Sequence, residues 1–229
     1  MFWDEIARLN QRSRSSEKSL LNVAAISLAT RALGPGTRAA VWVQGCTIQC
    51  PRCIAPDWIP VRPAHLVDPE LLAVELLRNP QVSGLTLSGG EPMLQASALS
   101  RLVYQARQIR ELNVICFSGY RLSALLQNPP EAGVESLLAL IDVLIDGPYL
   151  DQKNDNQGLR GSSNQQIHFF SERLKDFDFH QAHRRVEVEV QDGQAFMIGI
   201  PTRSLHFAFA RAVEQARQKP ARMVNHERA

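Results

Sequence analysis

The chain has 229 residues, 45% of them hydrophobic, enough for one sizeable core and one main domain. A formal net charge of +2 makes no case for nucleic acid, and no apolar run approaches the ~20 residues that cross a bilayer. The start, Met1-Phe2-Trp3-Asp4-Glu5, lacks the basic-then-apolar pattern of a signal peptide. The four cysteines, three of them clustered, do not read as a disulfide framework, so a cytoplasmic location is expected.

Residues 1–22 read as an N-terminal extension: a short helix from Phe2 to Asn10, then a polar, basic linker around Arg12-Ser13-Arg14. A solvated extension is the plainer reading of it, and a partner-docking arm the sharper one. Val23 to Leu28 and Ala39 to Val43 are candidate strands, separated by the breaker Gly34-Pro35-Gly36. Asp68-Pro69-Glu70 is a helix start, with Asp as N-cap, Pro at the first position and an acid in the first turn. That helix runs to Leu77 and ends before Asn79-Pro80. Val82 to Leu87 is the next strand, and Gln95 to Arg110 a helix with Leu99, Leu102, Val103 and Ala106 on one face.

Val114 to Phe117 and Val143 to Ile145 are further buried strands. Between them lies a helical region, Leu122 to Leu140, broken at Asn128-Pro129-Pro130. Gly147 to Gln166 is a long polar loop, expected to order when a ligand binds. Arg185 to Val190 and Ala195 to Ile200 form a hairpin across Asp192-Gly193, and Arg203 to Lys219 is a helix followed by a basic tail. Strands alternating with helices imply an α/β fold with a parallel sheet. The expected division is an extension at 1–22, a core domain at 23–201 and a C-terminal helix and tail at 202–229.

Two stretches carry chemistry. Cys46, Cys50 and Cys53 have the spacing Cys-x3-Cys-x2-Cys. Three thiolates leave one corner of a 4Fe–4S cluster open, and an open iron is a place for a small molecule. The alternative is a zinc site closed by Cys116, His65 or another histidine. Ser88-Gly89-Gly90-Glu91-Pro92 reads as a strand end running into a tight glycine turn, where the backbone can pass close to a ligand.

Together the two stretches resemble the radical S-adenosylmethionine (SAM) enzymes. Gly34-Pro35-Gly36-Thr37-Arg38, Val41 to Cys46, Ile145-Asp146-Gly147 and Arg160-Gly161-Ser162-Ser163-Asn164-Gln165 extend the resemblance to the small glycyl-radical activating enzymes. Those of anaerobic ribonucleotide reductase come first and those of pyruvate formate-lyase second. The resemblance implies a partial TIM barrel, an open (βα)6-like parallel sheet, here with a C-terminal hairpin and helix. It implies a 4Fe–4S cluster on Cys46, Cys50 and Cys53, whose open iron is chelated by SAM. Reductive cleavage of SAM to a 5′-deoxyadenosyl radical would then install a glycyl radical on a partner protein, with reduced flavodoxin or ferredoxin as electron donor.

By resemblance and position, Gly89, Gly90 and Glu91 hold the methionine amino group, Ser88 and Pro92 flank them in the cofactor-binding run, and Ser118 and Asp146 are candidates for ribose or methionine contacts. Arg52 stands before the third cysteine, where pyruvate formate-lyase activating enzymes carry an aromatic residue. It either stacks on adenine or faces solvent. Cys116 reads as a small buried hydrophobe, and His180 with His183 as a surface pair. Trp58 is expected to pack over the cluster loop. Two alternatives stay open: a radical SAM enzyme acting on a small molecule or peptide, and a non-catalytic iron–sulfur or zinc binding module.

Overall fold

The computed structural model describes Trp3, residues 20–191 and residues 194–218. The expected helix from Phe2 to Asn10 (Trp3 apart), its linker, the Asp192-Gly193 turn and the tail beyond Gln218 lie outside the described residues.

Seven strands form one sheet: β1 (Leu21–Thr30), β2 (Thr37–Val43), β3 (His65–Val67), β4 (Val82–Gly89), β5 (Asn113–Ser118), β6 (Val143–Asp146) and β7 (Gln166–Phe169). Their order is β3-β1-β2-β4-β5-β6-β7. β2, β4, β5 and β6 are parallel neighbours. β1 and β3 run antiparallel at one edge and β7 at the other. The expected parallel sheet is present at the centre, and the antiparallel edges make the whole sheet mixed. A parallel crossover takes about a dozen residues or more, and the link from Arg31 to Gly36 is too short for one. β2 therefore returns beside β1 as a hairpin.

Helices α1 (Pro69–Leu76), α2 (Ala96–Ile109), α3 (Leu122–Gln127) and α4 (Val134–Leu140) follow the strands. Asp68 caps α1, its Oδ1 accepting from the backbone N–H of Glu70 at 2.9 Å and of Leu71 at 3.2 Å. α2 packs between α1 and α4. Its stripe of Leu99, Leu102, Val103 and Ala106 is wholly buried. Each such leucine contributes about 1.5–3 kcal/mol of apolar transfer. Asn128-Pro129-Pro130 separates α3 from α4, because proline removes a donor and disfavours helix in the residue before it.

A second, separate sheet is the hairpin β8 (Val186–Gln191) with β9 (Gln194–Gly199), followed by α5 (Arg203–Gln218). Glu187 accepts from Thr30 Oγ1 at 2.5 Å and from the Arg31 N–H at 3.0 Å, and Glu189 accepts from Ser27 Oγ at 3.0 Å. These bonds hang the hairpin on β1. Trp42, Trp58 and Phe196 close the gap, with ring centroids 5.1 to 5.7 Å apart. Such aromatic pairs are worth about 0.5–1.5 kcal/mol beyond their burial.

Arg38 lies wholly inside. Its guanidinium donates to Thr86 Oγ1 at 2.7 Å, Asn113 Oδ1 at 2.5 Å, Pro35 O at 3.2 Å and to Leu85 O. Burial pulls its pKa down to about 9. Gly84 makes the room, since a Cβ there would stand 2.5 Å from Arg38 Nη1. No helix among the described residues is long and apolar enough to cross a membrane.

Candidate active site

β2 ends at Val43 and delivers the cysteine loop at the C-terminal edge of the sheet. The base of that loop is fixed by two backbone bonds of 2.9 Å, from Gly45 N–H to Trp58 O and from Cys46 N–H to Ile59 O. Gln49 and Arg52 take positive φ of 51° and 58°, which curls the short run between the cysteines. All three thiols are free and partly buried. They line one cavity together with Ser88, Gly89, Gly90, Glu91 and Ser118.

The donor chemistry of this loop fits an iron–sulfur cluster. Cys46 Sγ accepts from the Ile48 N–H and Cys53 Sγ from the Ala55 N–H, both at 3.4 Å. Backbone donors aimed at sulfur suit an electron-rich thiolate. Burial pushes the Cys50 and Cys53 thiols up, and the neighbouring thiols add to the rise. A bound cation reverses that balance by stabilising the thiolate. Among the described residues no three His, Cys, Asp or Glu side chains, the three cysteines included, converge closely enough to hold a single metal ion. His65, one of the residues suggested to complete such a site, stacks on Trp3 with ring centroids 3.9 Å apart.

The glycine turn supplies the opposite wall. Gly89 has φ of +114°, and a Cβ on it would lie 2.2 Å from the Val43 nitrogen. A Cβ on Gly90 would lie 2.2 Å from Gly45 O. Only glycine lets β4's end lie this close to the base of the cysteine loop. Two bonds seal the approach: Gly90 N–H to Val43 O at 2.7 Å and Glu91 N–H to Gly45 O at 2.9 Å.

Glu91 is 1% exposed. Its Oε1 accepts from the Met93 N–H at 2.9 Å and from Ser118 Oγ at 2.8 Å, and its Oε2 from the Gly119 N–H at 2.8 Å. The carboxylate therefore straps the end of β4 to the end of β5. Burial pushes its pKa up to about 7, against the pull of those three bonds. An acid raised on folding keeps its proton in the folded chain while the unfolded chain has lost it. Its contribution to stability thus falls as pH rises from about 4.5 to about 7. At ~1.4 kcal/mol per pKa unit, the fall is on the order of 3 kcal/mol. In the cluster-free chain, the urea midpoint should drop over this pH range, and drop less in Glu91→Gln. Parallel pH profiles for the two proteins would refute this.

The other expected residues divide. Ser88 lines the cavity, as does Ser118, whose Oγ also accepts from the Tyr120 N–H at 3.1 Å. Pro92 is buried and opens a 3-10 turn, and it does not line the cavity. Asp146 does not line it either. It accepts from the Leu122 N–H at 2.6 Å, pairs with His168 Nε2 at 2.9 Å and lies 3.5 Å from Arg121. Asp146 therefore anchors the start of α3, and the adjoining Gly147 faces the cavity instead. Arg52 is 78% exposed and pairs with Asp151 at 3.1 Å, outside this cavity. Cys116 is buried in mid-strand, and His180 and His183 are exposed. Trp58 does line the cavity, behind the cysteine loop.

Sequence reading missed several lining residues: Tyr149 from the 147–166 loop, and Met197, Ile200 and His206 from the hairpin and α5. The loop is not structureless. Arg184 donates to Gly158 O, Asn154 Oδ1, Gln157 O and Arg160 O, and Gln165 Nε2 donates to Gly147 O at 2.8 Å. These bonds come from the protein's own groups.

A cavity in which three free thiols face a glycine turn at the ends of parallel strands offers the donor set of an iron–sulfur protein. The chain belongs to the 4Fe–4S single cluster domain family, whose profile matches residues 32–168. It is similar to the anaerobic ribonucleoside-triphosphate reductase-activating protein of Vibrio cholerae, 34% identical over 60% of this chain and 91% of the relative. The same-named protein of Haemophilus influenzae is 32% identical over 60% of this chain and 90% of its own length. That of Escherichia coli K12 is 29% identical over 59% and 90%.

Proposed function

We propose that the chain is a radical SAM activating enzyme that generates a glycyl radical on an anaerobic ribonucleotide reductase. The observation that carries this is the single cavity shared by Cys46, Cys50, Cys53 and the turn Ser88 to Glu91. Cys46, Cys50 and Cys53 would hold a 4Fe–4S cluster, and the turn from Ser88 to Glu91 would hold SAM in the same cavity. When bound, the cluster and SAM supply a one-electron cleavage that yields a carbon-centred radical able to take a hydrogen atom.

The protein's share is binding, orientation and exclusion of water. The backbone of Gly89 and Gly90 offers polar groups to the methionine amino group at a distance no side chain obstructs. Glu91 acts as the strap that fixes the turn, with Ser118 and Gly119 as its anchors. Trp58, Phe117 and Met197 give the cavity an apolar lining that keeps water from a reactive radical.

A partial TIM barrel with its core at 23–201, an extension at 1–22 and a tail from 202, working in the cytoplasm, belongs to the same reading. Four parallel strands that open onto one edge support it. The test is anaerobic: reconstitute the cluster, reduce it with dithionite, add SAM and measure 5′-deoxyadenosine. Product that requires all three clustered cysteines is expected. A loaded cluster that neither binds nor cleaves SAM would overturn the reading in favour of a binding module.

A further inference from the structure

The glycine turn is also tied to the cysteine loop by a side chain outside the cavity. Pro92–Gln95 is a 3-10 turn that carries the chain from Glu91 into α2, and Gln95 is the N-cap position of that helix. An N-cap side chain ordinarily accepts a bond from one of the first helical N–H groups. That of Gln95 makes no such bond. The task falls to Glu131, between α3 and α4, which accepts from the Ser97 N–H at 2.7 Å and from Ser97 Oγ. A helix start that leaves its own cap unused marks a side chain under another demand.

The Gln95 amide points to the base of the cysteine loop instead. Its Oε1 accepts from the Asn22 N–H at 2.7 Å, and its Nε2 donates to Asn22 O at 3.1 Å and to Gln44 O at 3.0 Å. The side chain thus acts as a short piece of strand laid on the start of β1, and it reaches the residue two positions before Cys46. Asn22 and Gln44 carry the tie onward. Gln44 Nε2 donates to Pro60 O at 2.7 Å and to Asp57 O at 3.4 Å. Asn22 Nδ2 donates to Arg62 O and Asn22 Oδ1 accepts from the Ala64 N–H, both at 2.8 Å. Three side-chain amides therefore join the exit of the glycine turn to both ends of the cysteine loop. Gln44 is buried, so polar groups that lose a partner here are not readily repaid by water.

We propose that Gln95 is a positioning residue of the SAM site: its amide holds the exit of the glycine turn against the base of the cysteine loop and so sets the spacing between cluster and SAM. The proposal rests on the activating-enzyme reading above. Gln95→Met keeps the shape and removes every bond, whereas Gln95→Glu keeps the acceptor and loses both donors. In the reconstituted, dithionite-reduced holoenzyme, iron per chain should match the parent in both. The SAM dissociation constant, read from the change SAM makes in the cluster's electron paramagnetic resonance spectrum, should rise at least about tenfold, the loss usual for a residue that orients a metal site from outside. In the cluster-free chain, the Gly90 and Glu91 amides, bonded to Val43 O and Gly45 O, should exchange with deuterium faster than in the parent. Ser97→Ala is the control. It removes a bond at the same helix start and should lower the urea midpoint with SAM affinity unchanged.

Parental SAM affinity in both Gln95 variants overturns the proposal and leaves the activating-enzyme reading standing. So does an equal loss of SAM affinity in Ser97→Ala, which would make the effect one of general stability. Iron lost from the Gln95 variants overturns it in favour of a role in cluster retention alone. A parent that loads its cluster and binds no SAM overturns the activating-enzyme reading, and the role of Gln95 with it.

Discussion

Cys46→Ala is expected to abolish cluster loading and SAM cleavage while leaving the fold in place. The thiol sits on a partly buried loop outside the main apolar cluster, so its removal empties no core. Residues that merely orient a metal's ligands already cost about 10–100-fold in affinity or activity when lost, so loss of a ligand itself should exceed about 100-fold. Iron per chain after reconstitution and 5′-deoxyadenosine yield are the readouts, with far-ultraviolet circular dichroism as the folding control. Cys116→Ala is the matched comparison. That thiol is fully buried in β5, so its loss should cost stability and leave iron content unchanged. Full loading in Cys46→Ala, or lost loading in Cys116→Ala, would mean the ligands are misassigned.

The second large effect is expected from one added methyl group. Gly90→Ala places a Cβ 2.2 Å from Gly45 O, 2.7 Å from Gly45 C and 2.8 Å from Trp58 O. All three are backbone atoms, so no rotamer relieves the clash. The turn must lift off the base of the cysteine loop, breaking the 2.9 Å bond from the Glu91 N–H to Gly45 O. Overpacking of this kind typically costs about 1–3 kcal/mol. Function should suffer more, because the turn and the cluster loop move apart. The variant should load iron, bind SAM weakly and release little 5′-deoxyadenosine. Near-parental SAM affinity in Gly90→Ala would remove the turn from the binding site.

The cysteines and the glycine turn were legible because their chemistry is local. Eight positions hold all three thiols, and adjacent glycines mark a backbone under close approach. Strand ends were legible as the place where the site gathers. Which strand-end side chain faces the cavity was not, since Asp146 turns to the N–H of Leu122 and Gly147 takes its place. Glu91 was legible as important, but its engagement by Ser118 and Gly119 depends on residues 27 and 28 positions away. The antiparallel start of the sheet was within reach: six residues between β1 and β2 are too few for a crossover. β3 has three residues and no period to read. The wall from Met197 to His206 carries no motif, and only the folded chain brings it to the cysteines.

The strap at Glu91 has a consequence for the order of assembly. Cys46, Cys50 and Cys53 are near neighbours along the chain and stay close together before any tertiary structure exists. The turn they face comes from Ser88 to Glu91, and its anchors from Ser118 and Gly119. Contacts so far apart in sequence form late, after loop-closure entropy has been met. The three thiols are thus close together early in synthesis, whereas the turn they face takes its place only once β2, β4 and β5 have registered. A nascent or partly unfolded chain has the three thiols but not the turn that faces them, so on the proposed reading a complete site is present only in a completed fold.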